Sequence, residues 1–168
     1  MFFIASRLVI ITLCVSLLVC AFYMAFNMGN AYILVTEGME KRVDVCLTRQ
    51  DYVELNKYFT VSFLNSDPVL AVSTSQNAPY LPYTINSYDY EIKVSDLQAW
   101  PWQNQISCTV TEYVTDITGS VKAAYAQSAD SKIPEWSSGR YKIYLSRQTD
   151  GSWKISGLMQ DANYRDAG

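Results

Sequence analysis

Hydrophobic positions fall into three regimes along the chain, and each predicts a different kind of element. From Leu8 to Phe26 the run LVIITLCVSLLVCAFYMAF sets 19 residues in a row without a charge. A helix of that length rises about 28 Å, close to the hydrocarbon thickness of a bilayer. Thr12 and Ser16 interrupt the run, but their hydroxyls can bond back to the helix's own carbonyls. After Asn27-Met28-Gly29-Asn30 the period becomes three and four. Tyr32, Val35, Met39, Val43 and Cys46 predict one apolar helical face, and Glu37 and Lys41 an i,i+4 pair on the polar side. The interruption at Gly29 is slight, so the two helices can be nearly continuous.

Thr48 followed by Asp51 reads as a helix cap with an acidic third position. It predicts a helix from about Arg49 to Leu64 with Tyr52, Leu55, Phe59 and Phe63 on its apolar face. Asp67-Pro68 predicts a short helix over Val69 to Ser73, capped by Asp67. The Ser-, Asn- and Pro-containing stretch to Pro82 reads as a loop. From Tyr83 the period falls to two. Tyr88, Tyr90, Ile92 and Val94 alternate with Asp89, Glu91, Lys93 and Ser95, predicting a strand with one buried face. A turn at Trp100 to Asn104 leads to a second strand, with Ile106, Cys108 and Val110 inward, that can pass a bulge to Ile117 and is expected to break at Thr118-Gly119. Val121 to Tyr125 either resumes it or turns helical. Residues 126–139 read as a long loop. Arg140 to Gln148 and Ser152 to Met159 flank Thr149-Asp150-Gly151, a strong hairpin signal. Helices followed by about four antiparallel strands make a segregated α+β domain.

Charge sharpens the N-terminal picture. Arg7 is the sole basic residue among the first 30, and all 16 acidic residues lie beyond them. Arg7 favours a cytoplasmic N-terminus, giving a tail at 1–7, an anchor at 8–28, an extracytoplasmic domain at 29–160 and a tail at 161–168. The protein is then a single-pass protein of the cytoplasmic membrane. A cleaved signal peptide is the rival, but its apolar region is about 7–15 residues and ends in a small-x-small site, which positions 21–31 offer only poorly. A lipoprotein needs a small residue before its cysteine, where Val19 precedes Cys20. Beyond position 30, 12 basic residues face 16 acidic ones, with no basic run, which disfavours nucleic acid and anionic lipid headgroups as partners.

Histidine is absent, which removes Ser-His-Asp and Cys-His nucleophile systems and His-ligated zinc. The CxxC, P-loop, GxSxG, HExxH and EF-hand patterns are absent as well, so no cofactor and no metal is expected. Cys46 and Cys108 form an even pair in an exported domain and can make a disulfide, or remain two separate buried thiols. The aromatic set Tyr80, Tyr83, Trp100, Trp102 and Trp136 falls mainly in loops and turns, either as an interaction surface or as cover for the sheet.

Two segments, CLTRQDYVELNKYF (46–59) and DGSWKISGL (150–158), resemble the second helix and closing hairpin strand of the NTF2-like superfamily, in a match that runs over roughly residues 31–160. The resemblance implies a cone in which a curved antiparallel sheet wraps its helices. Behind a single transmembrane helix, the layout is similar to VirB8- and TcpC-type conjugation proteins, although the seven-residue tail is shorter than VirB8 proteins carry. It implies a non-enzymatic interaction or assembly domain in a cell-envelope complex, with conjugation or secretion machinery as a setting and other envelope proteins or a second copy as partners. The alternative is a tethered cone that binds a small molecule, or acts on one as ketosteroid isomerase-like members do through Asp and Tyr. A docking domain should fill its cone mouth with side chains. A binding cone should keep an open pocket with a buried, shifted carboxylate.

Overall fold

A computed structural model describes the backbone of residues 2–161 and the side chains of 7–161. The tail expected beyond Asp161 lies outside the described residues. One helix, α1, runs from Phe2 to Thr48 without interruption. Gly29 does not break it, since a helical glycine costs only about 1 kcal/mol against alanine. Thr12 Oγ1 donates to Leu8 O at 2.9 Å and Ser16 Oγ to Thr12 O at 2.8 Å, so both hydroxyls are satisfied within the helix. The segment Arg7–Thr48 is long and apolar enough to cross a membrane, and its most apolar window is wholly unburied.

The second half of α1 is the core of the domain. Its buried stripe is Ala31, Val35, Met39, Val43 and Cys46. Tyr32, expected on this stripe, is 48% exposed and its place is taken by Ala31. A small residue there lets the helix close on the sheet where a tyrosine ring would hold it away. Gly38 extends the same economy: a Cβ at this position would lie 3.0 Å from Tyr58 Cβ and 3.2 Å from Ile155 Cδ1. Lys41 turns to Asp44 at 3.1 Å and Glu54 at 3.2 Å, while Glu37 accepts from Tyr58 Oη at 3.3 Å. The expected Glu37–Lys41 pairing gives way to these tertiary partners.

The helix predicted over Arg49 to Leu64 is not formed as one piece. Arg49, at φ 57°, turns the chain out of α1, and a 3-10 turn follows at Tyr52–Lys57, capped by Asp51 rather than Thr48. Phe59 then bridges Ile155, with Thr60 N donating to Ile155 O and Ile155 N to Tyr58 O, both at 2.9 Å. Pairing with a strand requires extended backbone, so the helix yields, and α2 starts anew at Val61–Ser66 behind a Thr60 cap. Leu55, Phe59 and Phe63 are buried as expected; Tyr52 is exposed. The short helix α3, Pro68–Thr74, is capped by Asp67 as expected.

The strands are β1 (Tyr83–Ser95), β2 (Gln105–Val121), β3 (Gly139–Arg147) and β4 (Trp153–Gln160), in the order β1-β2-β3-β4 and all antiparallel. Helix α1 packs against both edge strands, β1 and β4, so the sheet curves around it. β2 does not stop at Thr118-Gly119. Its pairing with β1 shifts around Ser87, opposite the stretch where Asp116 adopts φ 50°, and it then continues to Val121. Gly119 allows this continuation, because a Cβ there would sit 2.3 Å from Thr84 O. A 3-10 turn at Ala123–Tyr125 follows. The β3–β4 hairpin turns as expected at Asp150-Gly151, with Gly151 at φ 84° and Asp150 Oδ1 accepting from Ser152 N at 2.9 Å.

Candidate functional site

An open cavity of about 920 Å³ lies between α1, α2, α3 and the ends of β3 and β4. Its walls are largely apolar, with Phe63, Val69, Val72, Leu158 and Met159 among them. Buried charges enter at one place. Arg42, on the buried face of α1 between Met39 and Cys46, is 2% exposed, and Asp67 is 3% exposed. Arg42 Nε donates to Asp67 Oδ2 at 2.6 Å and Nη2 to Oδ1 at 3.0 Å. Asp67 Oδ1 also accepts from Val69 N at 3.0 Å, so one carboxylate caps α3 and neutralises the only charge that α1 buries among the described residues. Burial works against the charge on Arg42, but the hydrogen bonds and negative charge of Asp67 outweigh it and raise its pKa.

A second buried acid stands behind the wall. Glu112 on β2 is fully buried; its Oε1 accepts from Trp136 Nε1 at 2.9 Å and its Oε2 from Tyr90 Oη at 3.4 Å. Burial pushes its pKa up, only partly countered by the Trp136 hydrogen bond, the Arg42 charge and the Tyr90 hydroxyl. Trp136 therefore has two duties: its ring lines the cavity and its N–H holds the carboxylate beneath.

Among the other titratable groups of the lining, Cys46, Tyr80 and Tyr141 are neutral near pH 7, whereas Glu135 is exposed and the hydrogen bond from Lys132 at 2.7 Å holds its carboxyl below the usual range. Burial pushes the Cys46 thiol up to about 11, against the pull of Arg42, so it is not an activated nucleophile. Burial likewise pushes Tyr80 and Tyr141 up to about 12, leaving both as hydroxyls. The arrangement offers apolar contact, tyrosine hydroxyls, a neutralised ion pair and an exposed Glu135 carboxylate already paired with Lys132. Such groups orient a ligand more readily than they transform one.

The five aromatic residues singled out from the sequence separate into three places. Tyr80 and Trp136 stack at the cavity, with ring centroids 6.4 Å apart. Tyr83 is buried elsewhere and pins the β2–β3 loop, its hydroxyl donating to Asp130 O at 3.1 Å and Lys132 O at 3.2 Å. Trp100 and Trp102 stack on each other at 5.3 Å in the β1–β2 turn. Cys46 and Cys108 lie in the core as separate buried thiols, on α1 and β2.

Arg42 and Glu112 are absent from the residues picked out by sequence, and Asp67 is read there only as a cap. A signal was present for each. Arg42 follows Met39 by three and precedes Cys46 by four, which puts a charge in phase with the apolar stripe. Glu112 continues the inward register Ile106, Cys108, Val110. A charge in phase with a buried face marks a buried pair or an error in phase, and tertiary contacts decide which.

What the fold and cavity define together is an α+β domain on a long apolar N-terminal helix, with a largely apolar cavity over a buried ion pair. No family model matches the chain, and no curated protein does. Among solved structures it is similar to "Crystal structure of Kfla4162 protein from Kribbella flavida", at 13% identity and a TM-score of 0.49, over 85% of this chain and 95% of that one.

Proposed function

We propose that the protein is a membrane-tethered binding domain whose cavity takes a small, largely apolar molecule. The observation that carries this reading is the open cavity of about 920 Å³ beside the buried Arg42–Asp67 pair. A domain built only for docking was expected to fill that mouth, so the balance moves from the envelope-assembly reading to the ligand-binding one. The helix embraced by a curved meander supports an NTF2-like cone, and the unburied apolar half of α1 supports the anchor. Arg7 at the start of that segment supports a cytoplasmic N-terminus with the domain outside. The reading is binding rather than turnover, because Asp67 is occupied by Arg42, Glu135 is exposed and paired with Lys132, and Glu112 sits behind Trp136 rather than in the lining.

The test uses the full chain in nanodiscs of phosphatidylcholine, with an anilinonaphthalene dye as an apolar probe and empty nanodiscs as the blank. Val72 lines the cavity and is half exposed, so Val72→Trp should fill the space without disturbing the core. Saturable binding of one dye per chain, lost in Val72→Trp, is expected. Dye binding equal in the variant and the wild type would sink the ligand-binding reading.

A further inference from the structure

We infer that the Trp100-Pro101-Trp102 turn is a second membrane contact, seated in the headgroup boundary of the bilayer that α1 crosses. The inference rests on the anchor reading. In a meander, the β1–β2 and β3–β4 turns share one end of the sheet and the β2–β3 loop occupies the other. Side-chain contacts identify the first end as the one nearest the apolar half of α1. Arg147, at the end of β3, donates from Nη1 to Pro101 O at 2.9 Å and from Nη2 to Asn27 Oδ1 at 3.3 Å. Asn27 is the residue immediately after the uncharged run Leu8 to Phe26. One guanidinium group therefore holds the turn level with the point where the helix leaves its apolar segment.

The turn has the composition that this depth selects. Residues 97–105, LQAWPWQNQ, carry no charge. Trp102 is 69% exposed and Trp100 37%, and their parallel stack presents one flat aromatic surface. The tip is held rigidly, with Gln103 N donating to Trp100 O at 3.1 Å and Trp100 N to Gln103 Oε1 at 2.9 Å. Indoles favour the bilayer–water boundary because an apolar ring and a polar N–H are both accommodated there. Arg147 is braced against Trp153, 4.9 Å from the ring, so the link between helix and turn is itself fixed.

Two contacts fix an orientation where one leaves a swivel. With the helix and the turn both engaged, the domain cannot rotate freely about its anchor. The Arg42 end of the cavity is held about 22 Å further along α1 than Asn27, at 1.5 Å per residue.

The full chain in phosphatidylcholine vesicles tests this through tryptophan quenching by lipids brominated high on the acyl chain, compared with lipids brominated near its end. Stronger quenching by the shallow bromines is expected. Trp100→Phe with Trp102→Phe should lose most of it, while Trp136→Phe, at the cavity, should keep it. Shallow quenching that is the same in the double variant as in the wild type would overturn the inference. So would protection from acrylamide without quenching by brominated lipid, which would put protein rather than lipid over the stack. Flotation of the same samples separates the two readings: a chain that does not float with the vesicles refutes the anchor, and one that floats without shallow quenching refutes only the second contact.

Discussion

The two halves of α1 are one continuous helix in two different environments. From Leu8 to Phe26 its leucine, isoleucine, valine, phenylalanine and tyrosine side chains are between 49% and 70% exposed, whereas Ala31, Val35, Met39 and Val43 are fully buried. Helical hydrogen bonding is the same in both halves; what differs is what surrounds the side chains. In the second half, aliphatic and aromatic residues of all four strands close around the helix, among them Ile92, Val110, Ile143 and Ile155. In the first half no protein does among the described residues, and on the proposed anchor reading a bilayer supplies the nonpolar surrounding. Apolar content therefore says that a helix needs a nonpolar surrounding, and only periodicity says which kind. An apolar surface all round suits lipid, while a stripe suits a sheet.

The sharpest contrast between the halves is their tolerance of charge. Arg42 is accommodated in the buried half because Asp67 meets it at 2.6 Å. Asp67→Asn keeps an oxygen to cap α3 but leaves Arg42 buried without its counter-charge. A loss on the order of 3 to 5 kcal/mol is expected in chemical denaturation of the domain. A loss under about 1 kcal/mol, the range of an exposed pair, would show that the pair is effectively solvated. In the other half, Leu17→Arg should cost about 2.5 to 3.5 kcal/mol in membrane insertion. It should leave the denaturation midpoint of the domain where it was, because Leu17 touches none of the core. Measured insertion that is unaffected would contradict the anchor.

Small residues divide along the same line. Gly38→Val pushes a branched side chain against Tyr58 and Ile155 and should destabilise the domain by about 1 to 3 kcal/mol. Gly29 meets nothing within 4 Å, so Gly29→Ala should stiffen the junction and stabilise the helix by about 0.5 to 1 kcal/mol. Equal effects from the two, measured by thermal unfolding, would mean that the junction and the packed half are not distinct environments.

The smallest effect expected is one of pH. Burial raises the pKa of Glu112 above the ordinary carboxylate range. Between the ordinary and raised values, the folded protein keeps a proton that the unfolded chain has released, so stability falls as pH rises through that window and is level on either side. Glu112→Gln should remove this slope and raise stability at neutral pH, while its amide oxygen still accepts from Trp136. Denaturation midpoints followed across pH would show it, and a slope surviving unchanged in the variant would assign the effect to another group.

Much of this architecture was legible because it depends on neighbours in sequence. The uncharged run, the three-and-four spacing from Val35 to Cys46, the alternation from Tyr88 to Val94 and the Asp150-Gly151 turn each encode a local geometry. The errors fall where a distant partner overrides a local preference. A helix over 49–64 has the right apolar spacing, yet the chain extends at Phe59 because Ile155 of β4 bonds to Tyr58 O and Thr60 N on either side of it. Tyr32 has the right phase, but Ala31 lets the sheet come closer. Gly119 looks like a strand breaker until the carbonyl of Thr84 is seen to need its missing side chain.

The candidate site was the least legible part, since it consists almost entirely of long-range contacts. Arg42 and Asp67 are separated by 25 residues, and Trp136 lies 24 beyond Glu112. The sequence by itself determined that the chain has one apolar segment of membrane-spanning length, an α+β order of elements and the strand that buries each alternate residue. These are consequences of periodicity and backbone hydrogen bonding. Only the tertiary structure decided that Arg42 would be neutralised, that Tyr80 and Trp136 would meet at a cavity, and that the Trp100–Trp102 turn would be tied to Asn27 at the end of the uncharged run. Those outcomes depend on which surfaces close upon one another, and no local pattern carries that choice.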